Sequence, residues 1–241
     1  MRQAGTSAYP SPPPPSRLPV DTGEGTAGIR VLPASPGTAA GTVLLGHGAG
    51  GQRDAADVLA LLDLTGDGWT VVLVDQPWRV AGRKVATSPP TLDRAWRDLV
   101  ATVGQPAWQE EHGVALPRPW VYGGRSAGAR VACRTSVGTD GRPEDGVAAV
   151  LALAFPLHPP GRPDRSRAEE LALPVGAGLP TLVVQGRSDP FGTPAEVREA
   201  VGGPLVRLEE VPGNHSPSRD LDAVLAHARS FLAALAPAAG G

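Results

Sequence analysis

The chain has 241 residues, 41% of them apolar, and a formal net charge of −2. This length provides for one sizeable core, since single α/β domains often reach roughly 250 residues. Basic and acidic residues nearly balance, which argues against a basic surface of the kind that binds nucleic acid or anionic membranes, so we expect a small molecule as the binding partner.

The first 25 residues are rich in Pro, Ser, Gly and Thr, with four consecutive prolines at positions 12–15. Such a segment buries too little apolar surface to offset the entropy that is lost on ordering. We therefore expect residues 1–25 to form a disordered or polyproline-II tail, with a proline-motif ligand for a partner domain as the alternative. Residues 26–238 are expected to form one folded domain.

Apolar runs predict buried strands at 42–45, 69–74, 147–154 and 182–184, and further strands are predicted at 29–32, 120–122 and 205–211. Helices are predicted between them, most clearly where apolar residues recur at helical spacing, over 54–64, 92–103, 126–137 and 221–235. Two capping boxes mark further helix starts, one formed by Thr193 and Glu196 with Pro194 at the first helical position, the other by Ser166 and Glu169.

Strands that are apolar throughout and alternate with amphipathic helices require a sheet that is covered on both faces. The expected fold class is α/β, with a doubly wound, mostly parallel sheet, helices on both faces and no large cap domain. The longest irregular stretch, 156–178, is a candidate lid, because long connections inside a compact domain are usually functional.

The strongest local motif is Gly124-Arg125-Ser126-Ala127-Gly128, a G-x-S-x-G pattern between a predicted strand and a predicted helix. In this context the pattern predicts a nucleophile elbow, a tight turn that lifts the serine hydroxyl above the carboxyl edge of the sheet. Glycines flank the serine because a Cβ there would clash with the neighbouring strand and helix. The alternative is an ordinary glycine-rich turn.

A serine hydroxyl needs a base to take its proton, and after such an elbow the partners follow in the order Asp or Glu, then His. Asp189 comes just after the strand predicted at 182–184, and His215 just after the strand at 205–211. Both belong to the sheet edge that carries Ser126. We expect His215 as the base and Asp189 as the group that orients it. Taken alone, each is typical of a turn or capping residue.

The negative charge that develops on a reacting carbonyl oxygen needs N–H donors. One is expected from Ala127, the residue after the nucleophile. The other is expected from the loop after the strand at 42–45, which has the sequence HGAGG at 47–51. We assign this donor to Ala49, or else to Gly50, and expect His47 to shape the loop rather than to take part in catalysis.

Two further side chains are candidates for lining the pocket. His158 follows the strand at 147–154 and faces the same sheet edge, but it precedes Asp189 in the chain and is a poor candidate for the base. Arg125, next to the nucleophile, either binds a substrate carboxylate or is a surface or salt-bridged residue. No Cys and His cluster has zinc-site spacing, and there is no phosphate loop or dinucleotide fingerprint, so no metal and no cofactor are expected.

The sequence also predicts a location. Cys133 is the only cysteine, so no disulfide forms within the chain, which fits a reducing compartment. We find no basic stretch followed by an apolar segment at the N-terminus, as a signal peptide would have, and no apolar run of the ~20 residues that a membrane helix needs. A cytoplasmic protein is therefore expected.

Five ordered segments resemble a known family: HGAGG at 47–51, GGRSAG at 123–128, FPLHPPG at 155–161, QGRSDPFG at 185–192 and GNHS at 213–216. Together they resemble the α/β-hydrolase superfamily and, within it, the KANL3/Tex30-like group of predicted hydrolases, which is akin to dienelactone hydrolases. The resemblance implies the α/β-hydrolase fold and a triad of Ser126, Asp189 and His215. Two positions depart from it: Ala127 stands where Met is frequent, and Asn214 where an acidic residue is common.

From these motifs we expect a serine hydrolase, specifically a carboxylic ester hydrolase, that cleaves a small ester or thioester through an acyl-enzyme on Ser126. One alternative is a non-catalytic interaction module that keeps the fold, since some eukaryotic relatives are subunits of chromatin complexes. Another is an acyltransferase that passes the acyl group to a nucleophile other than water. The ordered set of Ser126, Asp189 and His215 favours the enzyme over the module.

Overall fold

The computed structural model describes residues 16–37, 39–50, 54–216 and 219–235. Their strands are β1 Leu18–Thr22, β2 Gly25–Leu32, β3 Gly41–Gly46, β4 Trp69–Asp75, β5 Trp120–Arg125, β6 Val147–Leu153, β7 Thr181–Gly186 and β8 Val206–Val211. They form one sheet in the order β1-β2-β4-β3-β5-β6-β7-β8. The two pairs that involve β2 are antiparallel and the others are parallel. The predicted α/β fold class, with a mostly parallel sheet, is confirmed.

The helices are α1 Ala56–Ala60, followed by a 3-10 helix Leu61–Asp67, then α2 Pro77–Val80, α3 Pro89–Val103, α4 Pro106–His112, α5 Ala127–Thr135, α6 Ala168–Gly176, α7 Pro194–Ala200 and α8 Leu221–Ala233. Side chains of α3, α5 and α6 pack on one face of the sheet, and those of α1, the 3-10 helix and α8 on the other. On β3, Leu44 faces the first layer while Val43 and Leu45 face the second, as alternation along a strand requires. Within the described residues, no helix has the length and apolar character needed to span a membrane.

The N-terminal edge of the sheet corrects the tail boundary that the sequence placed at residue 25. β1 pairs with β2, and Val20 is buried with 1% of its surface exposed. Leu18 also packs against the core, and its spacing of two from Val20 puts both side chains on the same face of the strand. Residues 1–15 of the expected tail, and the expected end of the domain at 238, lie outside the described residues.

Two expectations about helices also change. Residues 54–64 are not one α-helix, because α1 gives way to the 3-10 helix at Leu61; the fully buried Leu61 and Leu64 are three residues apart, which suits three residues per turn. The capping box of Ser166 and Glu169 does not form, since the Ser166 hydroxyl accepts from the Ala168 N–H at 3.2 Å and α6 begins at Ala168. The box of Thr193 and Glu196 is confirmed.

The candidate lid at 156–178 contains α6, which is part of the helical layer. Leu171 of α6 is fully buried, and Glu170 forms an ion pair with Arg130 of α5. This half of the segment is therefore anchored to the core rather than free to cover a site.

Candidate active site

Ser126 lies in a sharp turn between β5 and α5, as the elbow motif predicts. Its φ is 54° and its ψ is −110°, a backbone conformation that costs an L-residue about 1–3 kcal/mol. The turn also needs close contact with β3, since a Cβ on Gly124 or Gly128 would come within 3.0 Å of the Gly46 carbonyl oxygen. The glycines of the motif thus allow the serine to stand at the carboxyl edge of the sheet.

The three predicted residues meet at this edge. His215 Nε2 lies 2.8 Å from Ser126 Oγ, and His215 Nδ1 lies 2.9 Å from Asp189 Oδ2 and 3.1 Å from Oδ1. An ionised carboxylate only accepts hydrogen bonds, so the imidazole proton is on Nδ1 and Nε2 is free to accept from the serine hydroxyl. The arrangement therefore suits removal of the Ser126 proton by His215.

Asp189 is held by two groups for which the sequence analysis gave no role. It is buried, with 1% of its surface exposed, and its Oδ1 accepts from the Phe191 N–H at 2.8 Å. Its Oδ2 accepts from Nε2 of the fully buried Gln185 on β7 at 2.9 Å. The signal for both lay in the QGRSDPFG segment, where a polar residue inside an apolar strand precedes Asp189. These bonds fix the carboxylate that faces His215.

The loop that carries His215 packs closely on the end of β7. The Ser188 N–H donates to the Gly213 carbonyl at 3.0 Å, and the Arg187 N–H donates to the Val211 carbonyl at 2.9 Å. A Cβ on Gly186 would clash with the Asn214 carbonyl, so only glycine permits this approach. On the other side, the Phe191 ring lies against the His215 imidazole with 4.1 Å between ring centroids.

The loop after β3 is held by His47, which is 6% exposed. Its Nε2 accepts from the Gln76 N–H at 3.1 Å, so its proton is on Nδ1, which donates to the Gly48 carbonyl at 2.8 Å. The Arg79 guanidinium donates to the Gly50 carbonyl. Both ring nitrogens of His47 are thus used to hold the loop. Gly51, the last residue of the motif, lies outside the described residues.

The three candidate N–H donors occupy different settings. Ala127 is the first residue of α5, where a helical N–H has no acceptor within its own helix. Ala49 and Gly50 are exposed on the loop after β3. Negative charge close to the start of α5 is also favoured by the helix dipole.

The two candidate lining residues have other partners. Arg125 forms a salt bridge, one of the alternatives expected for it, with its Nε 3.0 Å from Asp57 Oδ2. His158 is 7% exposed, with Nδ1 2.9 Å from the Pro159 carbonyl and Nε2 3.4 Å from Glu196 Oε1. Among the described residues no hydrogen bond joins His158 to Ser126 or His215.

A small cavity lies beside Ala127, with His47, Trp78 and Val131 among its lining residues. Its volume of about 10 Å³ is enough for about one water molecule. A wider groove of about 350 Å³ shares Gln76 and Trp78 with it but is lined by neither Ser126 nor His215. In the described part of the chain, no group of three or more His, Cys, Asp or Glu residues is arranged to hold a metal ion.

Solved structures share this architecture. A dienelactone hydrolase from Anabaena variabilis superposes with a TM-score of 0.67 at 19% identity, covering 91% of this chain and 96% of that one. An α/β serine hydrolase without a lid from Xanthomonas campestris gives 0.65 at 20% identity, covering 95% and 98%. A serine hydrolase homologue from Coxiella burnetii gives 0.65 at 16% identity, covering 90% and 95%. At these identities the likeness concerns the fold.

The sequence itself places the chain in a family. A comparison with curated proteins gave no match. The family profile of the alpha/beta hydrolase domain matches residues 39–223, which is well over half of the chain. That range includes Ser126, Asp189 and His215. The chain therefore belongs to the alpha/beta hydrolase domain family.

Proposed function

We propose that this protein is a serine hydrolase that cleaves a small carboxylic ester or thioester through an acyl-enzyme on Ser126. The observation that carries the proposal is the unbroken hydrogen-bonded chain from Ser126 Oγ through the His215 imidazole to the buried Asp189 carboxylate. This chain couples a nucleophile to a base and the base to an anion, which is the arrangement that activates a serine hydroxyl.

In the first half of the reaction, Ser126 Oγ attacks the substrate carbonyl carbon while His215 Nε2 takes the hydroxyl proton. Asp189 stabilises the imidazolium that forms and keeps its ring oriented. The Ala127 N–H, together with an N–H of Ala49 or Gly50, donates to the oxyanion. When the tetrahedral intermediate collapses, His215 returns the proton to the departing alcohol or thiol, and the acyl group stays on Ser126.

In the second half, water attacks the acyl carbon and gives its proton to His215 Nε2. The second tetrahedral intermediate releases a carboxylic acid, and Ser126 Oγ recovers its proton from the imidazolium. The acid and the base of both halves are thus the same imidazole.

The size of the substrate is inferred from the architecture around the elbow. The cavity of about 10 Å³ beside Ala127 holds about one water molecule and is lined by neither Ser126 nor His215, so it is not an acyl pocket. The absence of a large cap domain among the described residues leaves the elbow open to small substrates. A fold relative from Xanthomonas campestris is described as a serine hydrolase without a lid, which agrees with an open site.

The proposal is tested by hydrolysis of p-nitrophenyl esters and thioesters that differ only in acyl length, from acetyl to octanoyl. We expect turnover by the wild type to be fastest with the shortest chains. We expect Ser126→Ala to lose several orders of magnitude in kcat. A folded wild-type protein that hydrolyses none of the panel, or a Ser126→Ala variant with wild-type rates, would exclude the proposal.

A further inference from the structure

Arg125 is the last residue of β5 and directly precedes Ser126. Its side chain is 13% exposed, and its Nε forms the ion pair with Asp57 Oδ2 at 3.0 Å. Asp57 lies in the first turn of α1, and its side chain is 2% exposed. The residue next to the nucleophile is therefore tied to α1, the helix that follows the loop after β3 in the chain.

The rest of the guanidinium reaches the loop that carries the base. Nη2 donates to the His215 carbonyl at 2.6 Å and to the Ser216 hydroxyl at 2.6 Å. Nη1 lies over Gly48, where a Cβ would be 3.1 Å from it. One guanidinium thus contacts the loop of the base and the loop that carries the candidate oxyanion donors, while its own backbone carries the nucleophile.

Stability alone does not account for this ion pair. Burial raises the pKa of Asp57, and the Arg125 charge and hydrogen bond offset this effect only in part. A buried pair that costs this much desolvation stabilises a fold weakly at best. An apolar pair of the same volume could fill this space, but it would lack the directional hydrogen bonds that Arg125 makes to the His215 loop.

We propose that Arg125 is a positioning residue that fixes the backbone of His215 relative to Ser126, and that Asp57 holds its guanidinium in the required orientation. This inference rests on the proposed function. The planar guanidinium of arginine has several donors and can bond the Asp57 carboxylate and the His215 carbonyl at the same time. A lysine has a single ammonium group for both acceptors. A displacement of the base by about 1 Å is enough to slow the reaction about 100-fold.

The test compares kcat and KM, measured on the fastest ester, for Arg125→Gln, Arg125→Lys and Asp57→Asn. The matched control is Arg130→Gln. Arg130 is on α5 and also forms an ion pair, with Glu170, and the two side chains are 19% and 20% exposed. Among the residues that the structure describes, no hydrogen bond joins Arg130 to the His215 loop.

We expect both Arg125 variants to lose about 100-fold in kcat with little change in KM, because the base is displaced while the binding site persists. Asp57→Asn keeps a hydrogen-bond acceptor but not the charge, so we expect its kcat to fall by about 10-fold. Arg130→Gln is expected to keep kcat within about twofold of the wild type, even where its thermal midpoint falls.

Wild-type kcat in Arg125→Lys would overturn the inference. So would an equal loss of kcat in Arg130→Gln at an equal loss of stability, since that would leave only a general structural effect. If Arg125→Gln does not fold, Arg125→Lys and Asp57→Asn decide. If the wild type shows no turnover that depends on Ser126, both the proposed function and this inference are wrong. If the wild type is active and the Arg125 variants have the same kcat, only this inference is wrong.

Discussion

His215 Nε2 and Ser126 Oγ are 2.8 Å apart although 89 residues separate them in the chain. The contact depends on β5, β6, β7 and β8, four adjacent parallel strands whose carboxyl ends lie at one edge of the sheet. Ser126 follows β5, Asp189 follows β7, and His215 follows β8. The register of these strands therefore sets the distance between the His215 imidazole and the Ser126 hydroxyl.

The backbone strain at Ser126 predicts a difference between two inactive variants. Glycine adopts a φ of 54° without the strain that a Cβ causes, whereas alanine keeps the Cβ. After allowing for the greater entropy of glycine in the unfolded chain, Ser126→Gly should be more stable than Ser126→Ala by about 1 kcal/mol. Urea unfolding of both variants measures this difference. Equal stabilities would mean that the strain at this position is no larger than the entropy cost of glycine.

Asp189→Asn should slow the reaction without disturbing the fold. The amide group of Asn can donate to His215 Nδ1, which moves the imidazole proton to Nε2 and blocks acceptance of the serine proton. We expect kcat to fall about 10³–10⁴-fold. Asp145→Asn is the control, since Asp145 is fully exposed beside Arg118. A loss below about tenfold in Asp189→Asn would contradict the role given to this carboxylate.

Gly128→Ala should destabilise the protein, because its Cβ would meet the Gly46 carbonyl at a distance that real Cβ atoms do not show. We expect a loss of about 3 kcal/mol in the free energy of unfolding. Gly176 is in α6 and has open space around its missing Cβ, so Gly176→Ala should be neutral or stabilising by about 0.5–1 kcal/mol. Similar unfolding curves for the two variants would show that α5 and β3 are not in close contact.

Glu170 gives the stability of the protein a dependence on acid pH. Burial by itself would raise its pKa, but the hydrogen bonds and charges of Arg130 and Arg134 outweigh it and lower the pKa below the ordinary 4.5. The ionised Glu170 therefore stabilises the fold above the pKa of the unfolded chain, and this contribution is lost as the pH falls through the folded pKa. Glu170→Gln should lower the free energy of unfolding by about 1–2 kcal/mol at pH 7.

The difference between Glu170→Gln and the wild type should then shrink as the pH falls below 4.5. Urea unfolding at a series of pH values follows it. A difference that stays constant across this range would show that the charge of Glu170 does not stabilise the fold.

Much of the sheet could be predicted because buried strands such as β3 and β4 are apolar along their whole length, and glycines mark their ends. The positions of Ser126 and Asp189 could be predicted for the same reason, since β5 and β7 are buried along almost their whole length. His215 follows β8, which is mostly half-buried and carries Arg207, Glu209 and Glu210, so its strand is less clearly marked. β1 escaped prediction because its two apolar residues, Leu18 and Val20, adjoin a proline-rich segment. An edge strand buries few residues, so the proline-rich composition of the neighbouring segment hides its apolar pattern.

The supporting groups of the site could not be predicted from local patterns. The partner of Asp57 is 68 residues away, and an acidic residue near the start of a helix is typical of any helix N-terminus. Gln185 is a polar residue in an apolar strand, which signals a buried hydrogen bond without naming Asp189 as its acceptor. The capping box of Ser166 does not form because its hydroxyl accepts from the N–H two residues later, at Ala168, instead of the one three residues later. The sequence pattern does not distinguish these two hydrogen bonds.

The most direct test of the central claim is covalent labelling of the purified protein with a fluorophosphonate, followed by intact-mass measurement and peptide mapping. Activation of Ser126 by His215 predicts a single adduct on Ser126 in the wild type, no adduct in Ser126→Ala, and slow labelling in His215→Ala. A correctly folded wild-type protein that takes no label, or a Ser126→Ala variant that labels as fast as the wild type, would contradict the account.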